Sequence, residues 1–254
     1  MVSGTHKQLA GIIVVIIVCV AVIAFAAQPS SGGDIQPGDT LRIGIDPTQP
    51  PFAAIINNEF VGFEVDLANA IANELGAAVQ FVIVNYDSRY DALINDQVDC
   101  VIATLVIDPS KTADVRYSQP YYDDGLLLVS SDQIAGEFDN SLQNQTVAFA
   151  YGSEADSVTR RWQVRIEGLE RRPYELAEYA LDAIQLGEAD AALVDATTFH
   201  LYDGNENLYS DTITSVPYSI ATPKERPGLA NQINDILDQL REDGTLEQLL
   251  ETWF

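Results

Sequence analysis

Positive charge is scarce in this chain. Its 254 residues carry 13 lysines and arginines against 38 aspartates and glutamates, a formal net charge of −25. Such a surface repels polyanions, which excludes nucleic acid and anionic lipid as partners. The acids are scattered rather than gathered in a block, which argues against an acidic interaction tail. A carboxylate-rich coat of this kind keeps a protein soluble where salt screens its self-repulsion, and so points to a saline medium. Cysteine is nearly missing too. Cys19 falls in an apolar N-terminal run and Cys100 in the strand-like VDCVIATL, so no disulfide framework exists and Cys100 reads as a small buried hydrophobe. Histidine is limited to His6, ahead of the apolar run, and His200, which follows VDATTF on an expected helix and reads as structural. That excludes a histidine triad or a histidine metal cluster. GxSxG, Walker, GxGxxG and HExxH patterns are all absent, and no metal or cofactor is expected.

Long hydrophobic runs are also missing, with one exception. Residues 9–27, LAGIIVVIIVCVAVIAFAA, hold neither charge nor proline. As a helix this run spans about 28 Å at roughly 1.5 Å per residue, close to a bilayer core. The Gln/Pro/Ser/Gly-rich QPSSGGDIQPGD follows it. Two readings stay open: a secretory signal cut near Ala24–Phe25–Ala26, or an uncleaved anchor over 1–27 with a flexible tether over 28–39. The run exceeds a usual signal core, which favours the anchor. Cys19 does not suit lipidation, because Val18 precedes it where a small residue is wanted. In either case residues 40–254 face outward, on the outer face of the membrane if anchored and secreted or periplasmic if cleaved.

The remainder is rich in short apolar runs: 47% of the chain is hydrophobic and 20% charged, which marks a globular protein. From residue 41, β-rich runs alternate with helical patterns, the mark of α/β architecture. LRIGID reads as a strand. VGFEVDLANAIANELG reads as a helix, with Leu67, Ala70, Ile71 and Leu75 on one face and Gly76 placed to end it. AAVQFVIV is the next strand, SRYDALINDQ a short helix, and VDCVIATLVI a buried strand leading into a polar loop that holds Lys111. A second cycle runs through the strand NQTVAFAYG, the helix SEADSVTRRWQV, the helical YELAEYALDAIQLGEAD and the strand AALVD. VPYSIATP is a further strand, and two helices close the chain. Two phrases echo one another, ALINDQVDCVIATL and AIQLGEADAALVDA, each giving a helix end, a polar turn, an aspartate and a buried strand. This reads as two related lobes rather than one sheet.

Polar residues gather at the ends of these strands, where ligands bind in open α/β sheets. Asp46 follows LRIGI, Lys111 lies beyond VIATLVI, Gly152 and Ser153 follow TVAFAY, and Asp195 ends AALV. A lone aspartate at a strand end is more often a cap or turn residue, but four such positions across two cycles favour a site.

From about Leu41 to Phe254 the chain resembles the extracytoplasmic solute-binding proteins, family 3 type, that feed polar amino acids to ABC importers. The phrases that carry the likeness are LRIGIDPTQPPF, VGFEVDLANAIANELG, DALINDQVDCVIATLVI, YSQPYYDDGLLLV, GEADAALVD and LREDGTLEQLLETWF, in family order. The resemblance implies the periplasmic-binding-protein-like type II fold: two α/β lobes, each a mixed sheet flanked by helices, joined by two crossover strands. Lobe 1 would hold 40–129 and 218–254, lobe 2 would hold 130–217, and the crossovers would fall near Val129–Ser131 and Val216–Ser219. A small polar, amino-acid-like solute would be captured between the lobes by hinge closure. The closed monomer would then be read by the permease of an importer that also has an ATPase subunit.

The same resemblance implies roles in the pocket. Tyr86 matches one member of an aromatic pair that sandwiches the ligand, and Gln49 falls where the other stands. Asp46 matches an acid near the ligand's distal end. The α-carboxylate would be held by Lys111, the stretch Thr104–Val106, and Gly152 with Ser153 from the second lobe; Asp195 would meet the α-ammonium. The departures matter. Gln49 is not aromatic, Val106 has no hydroxyl, and Lys111 offers one compact charge where the family has the two-pronged fork of arginine. Glu154 adds negative charge where a small residue is usual. A ligand of more cationic or neutral character suits this set. Lys111 also has a plainer reading, as a solvated lysine or one paired with Asp108 or Asp114. No enzymatic activity is expected. Two other functions stay open: a cleft enzyme of the same fold (dehydratase or glycan-cleaving) with Asp46, Glu154 or Asp195 as general acid, and a sensor acting through a partner membrane protein.

Overall fold

The computed structural model describes residues 33–133 and 141–254. The apolar run at 9–27, and with it the choice between anchor and signal, lies outside the described residues. Among those described, no helix is long and apolar enough to cross a membrane.

The first cycle begins with β1 (Thr40–Ile45), followed by a small antiparallel sheet of β2 (Thr48–Gln49), β3 (Ala53–Ile56) and β4 (Glu59–Val61). Helix α1 (Phe63–Leu75) comes next and stops where Gly76 turns into the left-handed region at φ 66°. That conformation costs glycine nothing and lets its N–H reach back to the helix carbonyls. The apolar face of α1 packs Leu67, Ile71 and Leu75 against Ile220, Leu229 and Ile233. β5 (Ala78–Ile83), α2 (Arg89–Ile94) and β6 (Cys100–Val101) complete the cycle, with β5 and β6 parallel to β1 on either side.

Here the structure departs from the sequence reading. The expected buried strand over 98–107 is paired as a strand only at Cys100–Val101. Thr104 sits at φ 42°, and its N–H goes to the Glu64 side chain at 2.6 Å rather than to a neighbouring strand. A buried carboxyl outcompetes the ladder for that donor. Val106 regains only an isolated bridge, with Tyr218. The expected polar loop beyond it holds a single 3-10 turn (Pro109–Lys111) and then a nine-residue strand, β7 (Val115–Asp123). Val115, Ser118, Tyr121 and Tyr122 are buried there, so tertiary pairing overrides its polar composition.

β8 (Leu126–Ser130) opens the second cycle, followed by β9 (Thr146–Ala150), α3 (Glu154–Arg165), β10 (Glu170–Tyr174), α4 (Ala177–Gln185), β11 (Ala191–Asp195), α5 (Ala196–Leu201) and β12 (Tyr209–Thr212). β13 (Pro217–Pro223), α6 (Pro227–Glu242) and α7 (Thr245–Trp253) return to the first lobe. Among the described residues the main sheets run β5-β1-β6-β13-β7 and β10-β9-β11-β8-β12. The fold is a two-lobed α/β architecture, each lobe a mixed sheet flanked by helices.

The two lobes repeat one device, as the echoed phrases suggest. In the first, Asp99 N donates to Arg42 O and Asp99 Oδ2 accepts the Arg42 N–H at 2.8 Å. In the second, Asp190 N donates to Thr146 O and Asp190 Oδ2 accepts the Thr146 N–H at 2.7 Å. Each aspartate thus pins one strand of its lobe, β1 or β9, each lying second in its sheet. The copies differ in burial. Asp99 is inaccessible and also binds the guanidinium groups of Arg42 at 2.9 Å and Arg226 at 2.5 Å, whereas Asp190 is exposed.

The chain crosses between sheets twice. β8 pairs with β11 and β12, so the first passage lies at Asp123–Leu126, ahead of the Val129–Ser131 position drawn from sequence. The second lies between β12 and β13, beside Val216. Gly125 brings the two passages into contact: a Cβ there would stand 1.9 Å from Thr214 O, so only glycine fits. Asp123 ties them further, accepting the Val216 N–H at 2.7 Å and the Ser215 hydroxyl at 2.5 Å. The C-terminal Phe254 stacks on Tyr122 beside the first passage, with centroids 5.0 Å apart.

Candidate functional site

The carboxyl ends of β9 and β11 meet the start of α3 and the interlobe passages at one cleft of about 360 Å³. Its walls include Ser153, Glu154 and Asp195 from the second lobe, Asp124 and Val216 from the passages, and Tyr218 from β13. This is the place where strand ends, a helix start and a change of sheet coincide, the geometry that favours ligand binding in open α/β sheets. Two larger cavities lie elsewhere. One of about 740 Å³ opens between His200 and α7, and another of about 400 Å³ lies near Ser130 and Asp190. Neither holds a residue expected for the ligand. His200 sits on α5 as expected, and burial lowers its pKa.

The second-lobe residues come together, and their hydrogen bonds define what they can offer. Ser153 caps α3: its hydroxyl accepts the Asp156 N–H and donates to Ala150 O at 2.7 Å. Asp156 reaches back to the Gly152 N–H at 3.0 Å. That bond, together with Arg160 and Arg171, holds the Asp156 carboxyl below the usual carboxylate range. The Gly152 N–H and the Ser153 hydroxyl are therefore already engaged within the lobe. Asp195 caps α5 with both oxygens, accepting the Thr198 N–H at 2.7 Å and its hydroxyl at 2.8 Å.

The first-lobe residues stand differently. Asp46 turns inward on its own loop, accepting the Thr48 N–H at 3.1 Å and hydroxyl at 2.7 Å. Gln49 is exposed on β2. Tyr86 is exposed, and one face of its ring is covered by the Arg89 guanidinium, 4.0 Å from the centroid. Lys111 Nζ lies 5.4 Å from the Tyr90 centroid, and among the described residues no carboxylate comes within 4 Å of it. Asp108 instead caps the 3-10 turn by accepting the Ser110 N–H at 2.8 Å. Asp46, Gln49, Tyr86 and Lys111 do not line the cleft. Val106 approaches the cleft through Tyr218, to which it is bridged, and Thr104 is not among the walls.

Sequence reasoning missed three residues at or near the site, Asp124, Tyr218 and Glu64. Asp124 accepts the Thr197 N–H at 2.9 Å from the second lobe and the Tyr218 hydroxyl at 2.9 Å from the first. Burial and this aspartate push the Tyr218 hydroxyl pKa up. Glu64, the second residue of α1, lies fully buried under the Thr104 turn and is bonded by the Tyr121 hydroxyl. Burial pushes its pKa from 4.5 up to about 7, with Asp46 adding to the rise. Tyr218 carried no signal of its own, since it lies in an ordinary strand phrase. Glu64 carried one: an acid inside an otherwise apolar helical face.

The model of the bacterial extracellular solute-binding proteins, family 3, matches residues 41–254. The chain belongs to that family. This family 3 protein is 28% identical over 225 residues to a putative ABC transporter arginine-binding protein 2 of Escherichia coli (strain K12), covering 85% of this chain and 91% of the relative. It is also 28% identical over 206 residues to the ABC transporter glutamine-binding protein of Bacillus subtilis (strain 168), covering 78% and 74%. Among solved structures it is similar to an ancestral cationic amino acid solute-binding protein, with a TM-score of 0.62, 28% identity, and coverage of 85% and 95%. The architecture described above and the family thus agree, and the family is extracellular by its description.

Proposed function

We propose that this family 3 protein is the substrate-binding component of an ABC importer, capturing a small amino-acid-like solute between its lobes by hinge closure. The cleft carries this reading: second-lobe strand ends, the interlobe passages and Tyr218 share one solute-sized space. The named relatives of similar sequence are binding proteins for arginine and glutamine, both polar amino acids. In this reading closure brings Asp46, Tyr86, Lys111 and the Thr104–Val106 stretch over a solute whose ammonium sits near Asp195. Glu154 and the single charge of Lys111 favour a cationic or neutral side chain. A ligand moves the hinge only by its greater affinity for the closed form.

Binding without chemistry fits the carboxylates. Asp195 accepts one hydrogen bond on each oxygen in capping α5, an ionised acceptor geometry that keeps lone pairs for an ammonium. We further propose that residues 9–27 tether the protein to the outer membrane face as a monomer, in a saline medium. A cell-fractionation experiment with the intact mass of the mature chain separates the tether from a cleaved signal.

Calorimetry of the full chain in high salt against amino acids, polyamines and small organic acids tests the function. Binding of a cationic or neutral amino acid is expected. Asp195→Asn and Lys111→Ala are each expected to weaken it at least about tenfold, near 1.4 kcal/mol. A folded protein that binds no member of the panel overturns the reading.

A further inference from the structure

The Thr104 turn, proposed above to receive the solute, rests on an unusual support. A β-branched residue at φ 42° is costly and persists only where its surroundings hold it. Here the hold is the Glu64 carboxyl. Its Oε1 accepts both the Thr104 N–H at 2.6 Å and the Tyr121 hydroxyl, while Oε2, equally buried, has no hydrogen-bond partner among the described residues. The titratable groups facing it are the hydroxyls of Tyr121 on β7 and Tyr218 on β13, and Asp46 beyond β1. On α1 itself, Asp66 is turned to Trp253 Nε1 at 2.8 Å. None of these is a cation. Burial and Asp46 therefore oppose ionisation, and the two hydrogen bonds to Oε1 favour it. The balance places the group near neutrality, at about 7.

We propose that Glu64 is a positioning residue whose proton is linked to solute capture: its Oε1 holds the Thr104 turn, more tightly when the carboxyl is ionised, and a cation bound beside Asp46 drives the proton off. The inference rests on the reading of the cleft as an amino-acid site and adds its regulation by pH. The sign follows from the charges. A cationic solute offsets Asp46, so Glu64 ionises more readily in the complex, a proton leaves on binding, and affinity rises as pH increases through neutrality. A solute with a neutral side chain leaves the Asp46 charge in place and displaces less of the proton.

Two measurements on the full-length chain test this. In carboxyl ¹³C NMR of the solute-free protein, the resonance lost in Glu64→Gln is expected to titrate near pH 7, and a midpoint below 5 overturns the proposal. Calorimetry at pH 7 in buffers of different ionisation enthalpy, with L-arginine and L-glutamine as probes, counts protons. Proton release is expected with arginine, at most about half a proton, with less for glutamine and none in Glu64→Gln. Should that variant not fold, Asp46→Asn is expected to reduce arginine's proton release to the glutamine level. Binding with no proton release, or release unchanged in these variants, overturns the linkage while leaving the binding function standing. No binding of either probe by the folded protein overturns both.

Discussion

Asp99 and Asp190 perform the same backbone task in two lobes, yet their replacement should cost very different amounts. Asp99→Ala leaves the Arg42 and Arg226 guanidinium groups without their shared buried partner, and about 3–5 kcal/mol of stability is expected to be lost. Asp190→Ala removes an exposed cap of the Thr146 N–H, for about 1 kcal/mol. Urea unfolding of both variants checks the pair, and equal losses would contradict the account. Glu64 gives a pH signature. Its native pKa is raised from 4.5 to about 7, so between those values the folded state keeps a proton that the unfolded chain has released. Its contribution to stability is full below pH 4.5 and falls as pH rises through about 7, by on the order of 3 kcal/mol. Relative to the parent, Glu64→Gln should therefore gain stability as pH goes from 5 to 8; a constant gap between the two would refute the shift. At this scale the sequence showed which carboxylates stand at strand ends. It did not show that Asp195 caps α5 or that Glu64 lies beneath Thr104, because both depend on which elements pack together.

The elements with strong periodicity stand where the sequence put them. α1 ends at Gly76 as expected, and α6 buries Leu229, Ile233, Ile236, Leu237 and Leu240 on one face. The failures are equally physical. The apolar run at 98–107 reads as one strand, but a side chain forty residues earlier takes the Thr104 N–H and ends the ladder. β7 reads as a polar loop because its pairing with β13 and its contact with α6 are long-range. The passage between sheets belongs to this scale as well. Gly125→Ala drives a methyl group into Thr214 O, and the two passages must part to admit it. A loss of about 1–3 kcal/mol is expected, read by thermal unfolding, with weaker solute binding as the hinge is displaced. A variant as stable as the parent would show that the passages are not in contact.

For the whole molecule the decisive quantity is the net charge of −25. Self-repulsion of that size opposes the compact state, and salt shortens its reach from about 10 Å at 0.1 M to about 3 Å at 1 M. The melting temperature is expected to rise steadily between 0.1 M and 2 M KCl, followed by circular dichroism. A flat profile would remove the argument for a saline medium.

The sequence by itself determined the architecture. Hydrophobic periodicity, glycine stops and the repeated helix–turn–aspartate–strand phrase are local features that set the order of strands and helices, and the resemblance of whole phrases to a known family supplied the two-lobed arrangement. The tertiary structure alone decided where the chain changes sheets, which carboxylates are spent as caps, and that Glu64 supports the Thr104 turn. Those outcomes come from competition for buried hydrogen-bond donors between groups far apart in sequence, and no window along the chain contains both competitors.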